Sequence, residues 1–101
     1  MPRRSELTPP EPRRDAVFHP EFIPEFIDDL RHWIKVDRAV ALRVIALVEA
    51  VLSDPFKGIG KPEALKHDLA GAWSRRVTQE HRLVYLISED RVDSLQCRHH
   101  Y

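Results

Sequence analysis

Trp73-Ser74-Arg75-Arg76-Val77-Thr78, then Arg82-Leu83-Val84-Tyr85-Leu86-Ile87-Ser88, then Val92 through Tyr101 are the three runs that decide the fold. From Ala72 onward the pattern takes a period of two, the repeat of a pleated strand. Gln79-Glu80-His81 and Glu89-Asp90-Arg91 separate the runs. Connections this short reverse the chain, so consecutive strands are antiparallel and the C-terminal half reads as a three-stranded meander.

Upstream of the meander the period is helical. Phe22, Ile23, Phe26, Ile27, Leu30, Trp33 and Ile34 recur at three- and four-residue spacing, and Val40, Val44, Leu47, Val48 and Val51 form a second stripe. Asp37 suits the N-cap of the second helix, and Asp54-Pro55 ends it because a residue before proline avoids the α region. The start of the first helix is ambiguous, since His19-Pro20-Glu21-Phe22 is nearly repeated by Ile23-Pro24-Glu25-Phe26 and either proline fits a first turn. Arg14 to Phe18 predicts a short strand ended by His19-Pro20. The expected class is α+β: an N-terminal strand and two amphipathic helices packed on an antiparallel β-meander.

A chain of 101 residues makes one domain with one core. Residues 1–13 hold Pro2, Pro9, Pro10 and Pro12 among charges, which predicts a disordered tail ahead of a domain over 14–101. The longest apolar runs, Val44 to Val48 and Leu83 to Ile87, have five residues each, against the roughly 20 of a membrane span. No apolar stretch follows Met1-Pro2-Arg3-Arg4, so no secretory signal is expected. A lone Cys97 forms no internal disulfide and no cysteine-pair zinc site. The expectation is a cytoplasmic domain with no membrane partner, no metal and no cofactor.

Sixteen basic and sixteen acidic residues cancel, but unevenly: residues 14–56 carry −3, and residues 57–101 carry +2 with four of the six histidines. Proteins that grip free nucleic acid through many phosphates are strongly basic, because counterion release supplies the affinity. A nucleic-acid substrate for this chain needs help from something else that holds it.

No Ser-His-Asp, HExxH or DxD pattern is present. Gly58-Ile59-Gly60-Lys61 continues into Pro62, where a phosphate loop needs Ser or Thr. The unusual feature is ionisable residues in strands: Arg75, Arg76, Arg82, Arg98, His99 and His100, preceded by Glu63, Lys66 and His67 in a long loop. Alternation along a strand places His99 and His100 on opposite faces, so the two cannot share a metal, whereas Arg82 shares a face with Val84 and Leu86. A cationic floor with an acidic rim suits RNA cleavage through the substrate's own 2′-OH. That reaction needs a base, a cation for the phosphorus-centred charge and an acid for the departing 5′-oxygen. A solvated charged face or a protein-docking surface fits the same composition.

The motifs are more specific. Gly58-Ile59-Gly60-Lys61-Pro62-Glu63-Ala64-Leu65-Lys66-His67, with Leu69, Gly71, Trp73-Ser74-Arg75-Arg76, Glu80-His81-Arg82-Leu83-Val84-Tyr85 and Cys97-Arg98-His99-His100-Tyr101, resemble the YoeB/Txe family of the RelE superfamily. The likeness spans about residues 14–101 and is dense over 56–101. It implies a RelE-like microbial ribonuclease fold and the toxin of a type II toxin–antitoxin pair. Such toxins cut mRNA in the ribosomal A site without a metal. By the same resemblance Glu63 is the general base, Arg82 the phosphate binder and His100 the general acid. Tyr101 orients substrate, Lys66 and Arg76 contact phosphate or ribosomal RNA, and His67 is a structural or rRNA contact. The implied partners are a YefM/Phd-type antitoxin and the bacterial ribosome with its mRNA; monomer and homodimer both stay open. Trp73, Tyr85 and Cys97 read as core. The tail, the possible extra helical turn near 19–26 and His99, where relatives often carry an aromatic, depart from the pattern. Two rivals stay open: a same-fold gyrase inhibitor, and a catalytically idle module that only binds antitoxin.

Overall fold

A computed structural model of the chain describes residues 17–66 and 70–99. The expected strand at 14–18 and the tail at 1–13 therefore lie largely outside it, as do His67, His100 and Tyr101. The order is β1 (His19–Phe22), α1 (Pro24–Val36), α2 (Arg38–Ser53), β2 (Glu63–Ala64), β3 (Ala72–Arg76), β4 (Arg82–Ser88) and β5 (Arg91–Gln96). The strands form one sheet in the order β1-β5-β4-β3-β2, with β1 parallel to β5 and every other pair antiparallel. The meander is as expected, and two edge strands extend it into a mixed sheet.

The first strand is displaced from its expected position. His19-Pro20, read as a stop, lies inside β1, whose ends are tied to β5 surroundings by His19 N–H to the Asp90 carbonyl (2.7 Å) and Ile23 N–H to the Ser94 carbonyl (3.1 Å). Pro20 is tolerated because β1 is an edge, where a missing donor breaks no central ladder. The repeated tetrapeptide thus adopts two states: the first copy is strand, while the second opens α1 with Pro24 at its start. Phe22 and Phe26, the equivalent residues of the two copies, stack at 5.4 Å.

Asp37 joins the helices. Its N–H caps α1 through the Trp33 carbonyl (2.8 Å), and its carboxylate accepts from Val40 N–H (3.4 Å) at the start of α2. Phe26, Trp33, Ala41, Val44, Leu47 and Val51 bury their side chains against Leu83, Tyr85, Ile87, Val92 and Cys97 on one face of the sheet. Ile34, expected in the α1 stripe, is instead exposed, while Asp29 occupies a buried stripe position.

The third meander strand stops at Gln96 rather than running to the end. Ahead of that stop the β4–β5 register slips: Tyr85 faces Ser94 but Val84 faces Gln96, leaving Leu95 as a bulge residue. Buried Val92 and Ser94 set one parity, and the bulge resets it so that Cys97 is buried.

Candidate functional site

The face of the sheet away from the helices collects the predicted residues. Glu63 is directly opposite Ser74, Ser74 opposite Val84, and Val84 opposite Gln96, which makes one row across four strands. Arg76 and Arg82 oppose each other in the adjoining row. Cross-strand partners share a face, so Glu63, Arg76 and Arg82 stand on the same surface. Glu63 is separated from the β4 backbone by two strand spacings, roughly 10 Å, room enough for a phosphodiester between them.

Arg76 opposite Arg82 sets like charges against each other, an arrangement that costs about 0.2–1 kcal/mol in a bare sheet. Among the described residues neither is paired with a carboxylate. Among the described residues the ion pairs are His19–Asp90 and Arg91–Asp93, so Asp93 and Glu80 leave Arg82 unneutralised. Among the described residues the Arg82 guanidinium donates to the Thr78 carbonyl, at 3.4 Å.

Glu63 is exposed in β2 and Lys66 is exposed two residues beyond it. The loop that carries them is fastened from below by Arg75. Sequence reading placed Arg75 with the other strand cations; the structure turns it inward, where it is fully buried. Its guanidinium donates to the carbonyls of Asp54, Lys57 (3.1 Å) and Ile59 (3.2 Å) and to the Tyr85 hydroxyl (3.1 Å). Tyr85 in turn donates to the Pro55 carbonyl (2.8 Å), and burial raises its pKa against the opposing pull of Arg75. Gly60, at φ +85°, brings the loop onto β3: its carbonyl accepts from Arg76 N–H at 2.6 Å, and a Cβ there would lie 2.8 Å from the Leu47 side chain. Trp73 packs edge-on to Phe56 at 5.4 Å, in the core as expected.

The C-terminal arm approaches from the other side. The His99 carbonyl accepts from Arg82 N–H at 3.2 Å, so the chain passes along β4 immediately before His100. Cys97 is buried, and burial together with the nearby Asp29 charge pushes its thiol up to about 12, which makes it a packing residue and no nucleophile. The structure therefore unites Glu63, Arg76 and Arg82 on one face, with Lys66 on the same loop; His100 and Tyr101 lie outside the described residues. Arg75 and Tyr85 escaped sequence reading as anchors, although an arginine at the core parity of a strand was a signal for them.

Against known proteins, residues 22–101 match the model of the YoeB-like toxin of bacterial type II toxin–antitoxin systems. The chain belongs to the YoeB toxin family. Among its relatives, toxin RelK of Mycobacterium tuberculosis is 46% identical over 80 residues, 79% of this chain and 94% of that protein. The solved YoeB/ParE toxin of Agrobacterium tumefaciens is 40% identical with a TM-score of 0.79, covering 83% of this chain and all of the other. Staphylococcus aureus YoeB, 32% identical, is known as a dimer (TM-score 0.76) and in a heterotetrameric complex with YefM (TM-score 0.73); each match covers 85% of this chain and the whole of the other. The helices-on-sheet fold of this YoeB-family toxin agrees with these relatives. No helix among its described residues is long and apolar enough to cross a membrane.

Proposed function

We propose that this YoeB-family toxin is a ribosome-dependent endoribonuclease that cuts mRNA in the A site through the substrate's 2′-OH, with its own side chains supplying the acid–base chemistry and no metal. The observation that carries the reading is the shared face of Glu63 and Arg82, with the His99 carbonyl bonded to Arg82 N–H. The Glu63 carboxylate takes the proton from the 2′-hydroxyl, and the 2′-oxygen attacks phosphorus. The guanidinium of Arg82, always charged and able to fork onto two oxygens, holds the extra charge of the five-coordinate phosphorus. The P–O5′ bond breaks as His100 protonates the leaving oxygen, giving a 2′,3′-cyclic phosphate and a 5′-hydroxyl. Each proton transfer is worth about 10²–10⁴-fold. Tyr101 orients the message, and Lys66 and Arg76 hold neighbouring phosphates or ribosomal RNA.

Zero net charge fits this role, because the ribosome, not the toxin, holds the message. For a partner the surface offers an open apolar hollow between β1, α1 and α2, lined by Phe22, Phe26, Leu30, Ile45, Val48 and Glu49. Leu42 and Ile45 on α2 are exposed beside it. These suit an amphipathic segment of a YefM-type antitoxin, whose removal would free the toxin in the cytoplasm.

The test is a 3′-end map of a defined message in a purified translation system, with wild type and His100→Ala in parallel. Cuts confined to the A-site codon, ending in cyclic or 3′-phosphate and lost in the variant, are expected. Growth arrest with the message intact contradicts the proposal and favours gyrase inhibition.

A further inference from the structure

Two buried side chains of α1 hold a single residue of the C-terminal arm at both its backbone poles. The Asp29 carboxylate accepts from Cys97 N–H at 3.0 Å, and the Trp33 indole N–H donates to the Cys97 carbonyl at 3.0 Å. Both contacts are buried, and both cross more than sixty residues of sequence. Asp29 is only 9% exposed in an apolar stripe, a placement that costs stability unless the carboxylate is bonded. The same indole meets the ring of His81 edge-on at 4.8 Å, and His81 precedes Arg82 in the chain. One side chain thus touches both the residue before the phosphate-binding arginine and the residue three before His100.

The grip falls where the strand no longer provides one. β5 ends at Gln96 after its bulge, so beyond that point the ladder no longer fixes the chain. The next backbone tie is the bond from Arg82 N–H to the His99 carbonyl. Between the bulge and His99, Asp29 and Trp33 set where residue 97 sits.

We propose that Asp29 and Trp33 are positioning residues for the general acid: they act on cleavage through the placement of His100, not on substrate. This rests on the reading of His100 as the acid. The test uses the full-length toxin on ribosomes carrying either an ordinary message or one with sulfur in place of the 5′-bridging oxygen at the scissile phosphate. A thiolate leaves without a proton, so the sulfur message dispenses with the acid while still needing the base and Arg82.

Trp33→Phe keeps a ring and removes the donor. Its expected single-turnover rate on the ordinary message is about tenfold to a hundredfold below wild type, within the roughly 10²–10⁴-fold that an acid supplies. On the sulfur message it returns to within about threefold of wild type, as His100→Ala does. Asp29→Leu, which removes the acceptor, shows the same repair and serves if Trp33→Phe does not fold; Asp29→Asn, which keeps an acceptor oxygen, falls between Asp29→Leu and wild type. Equal slowing of Trp33→Phe and Asp29→Leu on both messages, while His100→Ala is repaired by sulfur, leaves the acid assigned and overturns the positioning role. Failure of sulfur to repair His100→Ala removes the acid assignment and the proposal with it.

Discussion

The chain from Asp54 to Glu63 and the chain beyond Gln96 both leave regular structure before a proposed catalytic residue, yet they are anchored by unlike means. The first is held by one buried guanidinium that gathers three carbonyls and a tyrosine hydroxyl, with a glycine closing it onto β3. The second is held at one residue by a carboxylate and an indole from α1, with one further backbone bond to Arg82. Charge-assisted bonds are the strong ones, and the loop has four of them from one buried cation where the arm has one, from Asp29. The loop that leads to the proposed base is therefore tied more heavily into the core than the arm that leads to the proposed acid.

The sharpest way to break that contrast is to remove the guanidinium. Arg75→Leu strips the donor from Tyr85 and from the carbonyls of Asp54, Lys57 and Ile59, and is expected to cost about 3–5 kcal/mol. Urea unfolding measures it, and a loss below about 1 kcal/mol would show that the loop is held by something else. Gly60→Ala probes the same arm more gently. Positive φ together with a 2.8 Å approach to Leu47 predicts a loss of about 1–3 kcal/mol in the same assay.

The second arm shows no such effect at neutral pH; its contribution appears only in alkali. Cys97 ionises near its ordinary 9.0 when unfolded and at about 12 when folded. Above pH 9 the unfolded chain has lost this proton and the folded chain has not. Stability from this group is thus complete below about pH 9 and is lost progressively as pH rises towards 12. The raised Tyr85 pKa adds a fall of the same sign above about pH 10. Cys97→Ala is expected to flatten the limb that begins near pH 9, read as the pH dependence of the unfolding midpoint.

Much of this was legible in residue order. The second helix stripe, the Asp37 cap and the tight turns of the meander are local signals that the structure reproduces, whereas the first stripe loses Phe22 to β1 and leaves Ile34 exposed. β1 was misplaced because its pairing with β5 is a long-range parallel contact, and nothing within His19-Pro20-Glu21-Phe22 distinguishes it from the near-copy that becomes helix. The end of β5 was overrun because a one-residue bulge has no signature in Ser94-Leu95-Gln96. The polar residues were visible but their directions were not: Arg75 and Arg76 are neighbours in sequence and differ only in which face the register assigns to each. Glu63 and Arg82 became candidates through family motifs, whereas Asp29 and Trp33 acquire meaning only when Cys97 is brought against them.

The most direct test of the central claim, that the two arms bring a base and an acid to Arg82, is the pH dependence of single-turnover cleavage on pre-formed A-site complexes. Wild type, Glu63→Gln and His100→Ala are compared on one defined message. The wild-type rate is expected to rise and then fall with pH; Glu63→Gln loses the acidic limb and His100→Ala the alkaline one, each running about 10²–10⁴-fold slower. If both variants keep the wild-type profile at comparable rates, Glu63 and His100 are not the proton-transfer groups, and the division of labour between the arms is wrong.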